Sequence, residues 1–130
     1  MKIMVCYDAS DADDTLIAKA KERAKELDAS ISLLSVLIGS DVGQLDELEP
    51  AKELLAKTQA SFQAENIPCE TKLVFGGNAA GESIVEYAEE KAIDEIMIGI
   101  RKKSKIGKFI FGSTAQYVIL EAPCPVLTVR

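Results

Sequence analysis

The residues with the types and spacing to do chemistry lie late in the chain, in IGIRKKSKIGKFIFGST, residues 98–114. Arg101, Lys102, Lys103, Lys105 and Lys108 fall within eight positions there, although the protein carries 21 acidic against 15 basic residues and a net charge of −6. Gly99 precedes the basic run and Gly112-Ser113-Thr114 closes it. This is chemistry for holding an anion. A glycine lets the backbone approach phosphate oxygens, and a helix starting at Ser113 offers free N–H groups and the positive end of its dipole. Two hydroxyls and several cations add hydrogen bonds and charge. A plainer reading makes Ser113 a helix cap and the lysines a solvated loop; both stand on the residues alone.

Composition narrows the alternatives. The chain has no histidine, which removes a Ser-His-Asp triad and a histidine base. Cys6, Cys69 and Cys124 are widely spaced and, without histidine, read as small buried apolar residues and not as zinc ligands. The negative charge argues against broad DNA or RNA binding, which needs a basic face. No apolar run approaches the roughly 20 residues that span a bilayer, so no membrane association is expected. The start, MKIMVCYDAS, has one lysine and an apolar run ending at Asp8, which is not a secretory pattern. The expected location is the cytoplasm.

The elements that must position these residues follow from apolar periodicity. KIMVCY (2–7), SISLLSVLI (30–38), CETKLVF (69–75), IDEIMIGI (93–100) and CPVLTVR (124–130) read as strands, most of them with the continuous apolar character of a parallel sheet. Ser10 and Asp13 resemble a capping box before a helix to about Leu27, with Leu16, Ile17, Ala20, Ala24 and Leu27 on its inner stripe. GSDVGQLDELE reads as a polar loop, with Pro50 in the first turn of the next helix and Ala51, Leu54, Leu55, Thr58 and Phe62 inward. Asn66 is placed to close that helix in the left-handed conformation, before Pro68. A third helix turns Ile84, Val85 and Ala88 inward; a last one, near Ser113–Leu120, buries Ala115, Val118 and Ile119.

This alternation predicts one domain of the α/β class, a three-layer α/β/α sandwich on a parallel sheet. Ligands of such sheets sit beyond the carboxyl ends of the strands, where strand order reverses. Asp8, Val36 and Gly99 lie at such ends, and with the first strand central the basic loop falls beside Asp8. GGNAAGES (76–83) nearly fits a phosphate-binding P-loop, but Glu82 stands where that motif needs lysine. Its glycines read as turn residues, and Asn78 as a helix cap.

With these features in view, the chain resembles the universal stress protein family over essentially all of residues 1–130. The resemblance rests on Asp8-Ala9-Ser10, SLLSV in the second strand, AIDEIMIG in the fourth, and GSTAQYVI leading to APCPVLTV. It implies a Rossmann-like, five-stranded parallel sheet in the order 3-2-1-4-5 and a homodimer joined through the C-terminal strand. Nucleotide-binding members resemble G-x2-G-x9-G-[ST]. Gly99, Gly112 and Ser113 match this pattern, and Lys102 stands at the middle glycine. The resemblance implies that Asp8, with the Cys6 and Tyr7 backbone, contacts an adenosine. Val36 and Ile98 would line the base pocket, and Gly99, Gly112, Ser113 and Thr114 would hold ribose and phosphates, with Arg101 and Lys102 supplying charge. The implied function is a dimeric regulator that binds ATP or AMP, with Mg arriving on the nucleotide, and engages a protein partner. The alternatives are an adaptor that ignores nucleotide and a slow ATPase.

Overall fold

The computed structural model describes residues 1–7, 14–37, 41–75, 80–100 and 113–129. The elements run β1 (Lys2–Tyr7), α1 (Asp14–Leu27), β2 (Ser30–Leu37), α2 (Asp41–Gln63), β3 (Cys69–Phe75), α3 (Ala80–Glu90), β4 (Glu95–Gly99), α4 (Ser113–Glu121) and β5 (Val126–Val129). The strands form one sheet in the order β3-β2-β1-β4-β5, and every pairing is parallel. This is the predicted class and strand order.

Strand alternation splits the core into two layers. Ile3 and Val5 of β1 and Met97 of β4 point to one face, where Leu16, Ala20 and Ala24 of α1 and Leu55 and Phe62 of α2 cover them. Met4, Cys6, Ile96 and Ile98 point to the other, against Ile84, Val85 and Ala88 of α3 and Val118 of α4. Side chains of the central strand are thus apolar on both sides, because helices exclude water from both faces.

Several local expectations need correction. Leu27 and Ile119 lie at the flanks of their helical stripes and are 40% and 38% exposed. The segment read as a polar loop is helical from Asp41, so Pro50 lies inside α2 and not in its first turn. Proline has no N–H to donate to the Asp46 carbonyl, yet Leu48, Ala51 and Leu73 pack together around this point and hold the helix on the sheet. Gly81, read as a turn residue, is buried within α3. Cys69 and Cys124 are only half-buried, unlike Cys6. Asn66 does adopt the left-handed conformation, with φ 64°. The expected caps Ser10, Asp13 and Asn78 lie outside the described residues.

Candidate functional site

β1 lies between β2 and β4, so the strand order reverses between β1 and β4. At the carboxyl end of β1, Cys6 is in register with Leu34 of β2 and with Ile98 of β4. Tyr7 pairs with Ser35, and Val36 lies one residue further along β2, opposite Val74 of β3. Gly99 ends β4 opposite Val129, and the Ile100 N–H donates to the Val129 carbonyl at 2.7 Å, carrying the β4–β5 ladder one step past the strand. The backbone of Tyr7, Val36 and Gly99 is thereby gathered at one edge of the sheet.

Ser113 begins α4, and Thr114 beside it is half-buried. The chain leaves β4 at the carboxyl edge and must return to the amino edge to start β5 in parallel, so the first turn of α4 belongs at the carboxyl edge. Val118 is fully buried and shares a cluster with Cys6 and Ile98. It anchors α4 to the same face of the sheet toward which Cys6 and Ile98 point. Of the expected site residues, Cys6, Tyr7, Val36, Ile98, Gly99, Ser113 and Thr114 fall on this edge or this face. Asp8, Arg101, Lys102 and Gly112 lie outside the described residues.

The electrostatics suit binding more than nucleophilic chemistry. Burial, with a smaller contribution from Cys124, pushes the Cys6 thiol up to about 12, so it stays protonated at neutral pH and is a poor nucleophile. Cys124 is also raised, by burial and then by Asp94 and Glu95. Among the described residues no group of three or more His, Cys, Asp or Glu is arranged to hold a metal.

Two polar features of the strands were missed in the sequence. The Ser35 hydroxyl is fully buried and has no hydrogen-bond partner among the described residues. It is two residues beyond Leu33, on the α1–α2 side of β2, so it faces away from the α4 side of the edge. Ser32, on the opposite side, shares a 3.2 Å hydrogen bond with the Tyr87 hydroxyl. Serines inside an apolar strand were the only sequence signal, and their partners lie far along the chain.

Comparison with known proteins agrees with this architecture. The model of the universal stress protein family matches residues 1–130. A universal stress protein of Methanocaldococcus jannaschii is 31% identical, the match covering 99% of this chain and 81% of that one. The structure of a universal stress protein from Archaeoglobus fulgidus superposes with a TM-score of 0.85 at 32% identity, covering 100% of this chain and 98% of that chain. A second from Archaeoglobus fulgidus, solved in complex with dAMP, has a TM-score of 0.78 at 28% identity, with coverage of 100% and 98%. In fold, strand order and sequence along its whole length, this chain belongs to the universal stress protein family.

Proposed function

We propose that the protein binds an adenine nucleotide at the carboxyl edge of the sheet, between the ends of β1, β2 and β4 and the first turn of α4. The observation that carries this reading is the reversal of strand order between β1 and β4, with α4 anchored by Val118 on the face that Cys6 and Ile98 share. Helix N–H groups and dipole then face an edge where ligands of open α/β sheets sit. The dAMP complex of the Archaeoglobus fulgidus relative supports the choice of nucleotide.

In this reading Val36 and Ile98 flank the base, and Asp8 accepts hydrogen bonds from the ribose. The backbone of Gly99 and Gly112, the hydroxyls of Ser113 and Thr114, and the charges of Arg101 and Lys102 hold the phosphates. Mg arrives only with a polyphosphate. The protein acts in the cytoplasm as a regulator, a dimer through β5 whose partner binding depends on nucleotide. Among the described residues no helix is long and apolar enough to cross a membrane.

Isothermal titration with ATP, ADP, AMP and dAMP tests the site. Heat is expected with at least one of them, and its absence at about 100 μM protein sinks the reading. Gly112→Val should abolish the heat, and Ser113→Ala should weaken binding by about fivefold, the worth of one hydrogen bond. Lys102 in place of the middle glycine favours a second reading, an adaptor of the same fold that ignores nucleotide. Its signature is partner binding unchanged by added ATP.

A further inference from the structure

The two helices covering the Cys6 face carry an unbalanced surface. α3 (AGESIVEYAEE) and α4 (STAQYVILE) contain Glu82, Glu86, Glu89, Glu90 and Glu121 and no lysine or arginine. Among the described residues these carboxylates have no ion-pair partner, whereas α1 ties Lys21 and Lys25 to Glu65 and Arg23 to Glu95. Glu82, Glu86 and Glu90 follow one another at intervals of four, and Glu86 and Glu89 are three apart, so like charges repel along one helix. Glu89, Glu90 and Glu121 also sit in last turns, where the helix dipole favours cations. Glu82, in the first turn of α3, suits the helix dipole, but the other four carboxylates gain nothing from their helices.

Apolar groups stand among these charges. Tyr117 rests on α3 at Gly81, where an added Cβ would lie 2.9 Å from its Cβ and Cδ1. Tyr117 is 38% exposed, and Leu120, one turn further along α4, is 79% exposed. Shielding against α3 raises the Tyr117 phenol, and the charges of Glu82, Glu121, Glu86 and Glu89 add to that rise. The contact with Gly81, next to Glu82, and the four-residue step to Glu121 set the ring between the acidic residues of the two helices.

We propose that the outer face of α3 and α4, with Tyr117 and Leu120 framed by Glu82, Glu86, Glu89 and Glu121, docks a basic amphipathic helix of a protein partner. Charge complementarity selects this occupant. Lysines or arginines flanking an apolar stripe relieve the carboxylate repulsion while the stripe covers Tyr117 and Leu120. Nucleic acid and anionic lipid are repelled. A second copy meeting through the same face sets like charge against like. The surface supplies the chemistry of the partner in the function proposed above: the docking itself needs no nucleotide, and nucleotide at the first turn of α4 tunes its affinity. It rests on that reading only in that α4 is also the helix whose first turn holds phosphate.

The test titrates the isotope-labelled full chain, without nucleotide, with a two-heptad Leu/Lys helical peptide and with its Leu/Glu counterpart. Amide shifts confined to α3 and α4 are expected with the first peptide and none with the second. Glu82→Gln/Glu86→Gln/Glu89→Gln should weaken binding by about tenfold, while Glu22→Gln/Glu26→Gln on α1 should change it by less than about twofold. Leu120→Ser should weaken it as well; circular dichroism checks that each variant is folded. Shifts scattered over the surface, or equal losses in the two glutamine variants, overturn the proposal in favour of general attraction to an acidic protein. α3 and α4 shifts that move with protein concentration alone overturn it in favour of a second copy. Failure of the ATP titration leaves this result untouched, so the two proposals fail separately.

Discussion

Glu95 is a carboxylate that is only 5% exposed, at the start of β4. It is stable there because Arg23 reaches across from α1 and donates from Nε to Oε1 and from Nη2 to Oε2, the latter at 2.8 Å. Arg23→Ala leaves the carboxylate buried without its partner and should cost about 2 kcal/mol, below the usual range for buried pairs because the Arg23 side chain is 36% exposed. Arg23→Met/Glu95→Leu should fall within about 1 kcal/mol of wild type, since removing both charges also removes their desolvation. Urea denaturation of the variants distinguishes a structural ion pair from a dispensable one. Cys6 sets a second residue-scale expectation. The unfolded thiol ionises near its ordinary 9.0, while the folded one holds its proton to about 12. The folded state's pKa is raised, so its contribution is complete below the unfolded value and is lost as pH climbs toward the folded one. Unfolding free energy should fall across that window by up to about 1.4 kcal/mol per pH unit from this group. Cys6→Ala should show a shallower alkaline decline, measured by urea denaturation at stepped pH.

At the scale of elements, legibility followed the source of each signal. β1 was readable because both its faces are covered, which leaves a continuous apolar run from Ile3 to Cys6. The strand order came from the family resemblance and not from periodicity. The start of α2 was unreadable because a glycine and Pro50 interrupt it, and packing of Leu48 and Ala51 with Leu73 overrides those local preferences. Gly81 looked like part of a turn because its reason is distant: the Tyr117 ring lies against it from α4. The glycine spacing on which the candidate site was proposed is a local feature and shows in the sequence. The burial that holds Cys6, Ile98 and Val118 in one cluster is not. Gly81→Ala tests the packing reading. Alanine favours a helix by about 1 kcal/mol over glycine, but the new methyl meets Tyr117 Cβ and Cδ1 at 2.9 Å, so overpacking of about 1–3 kcal/mol should dominate. A net loss in thermal stability is expected, with most of it recovered in Gly81→Ala/Tyr117→Ala. A Gly81→Ala protein more stable than wild type would show that the Tyr117 ring yields without cost and that helix propensity alone decides the position.

For the whole molecule the open question is the free edge of the sheet. β3 and β5 are the outer strands, and β5 is short. Ile96 N–H donates to the Pro125 carbonyl and Ile100 N–H to that of Val129, so the odd-numbered residues of β5 turn their backbone groups toward β4. By alternation, Val126 and Thr128 present theirs outward, where a second strand can pair with them. On the α1 side of this edge Met97, Leu127 and Val129 line a groove beneath Lys19, Glu22, Arg23 and Glu26, and Leu127 is 38% exposed. An antiparallel β5 from a second copy would satisfy the outward N–H and C=O groups and cover Leu127 about a two-fold axis. Thr128→Pro isolates this contact: it removes one outward N–H and leaves the β4–β5 bonds intact. Sedimentation velocity should show a dimer for the native chain and a monomer for Thr128→Pro, both with the same circular dichroism spectrum. A Thr128→Pro protein that remains dimeric places the contact between copies elsewhere.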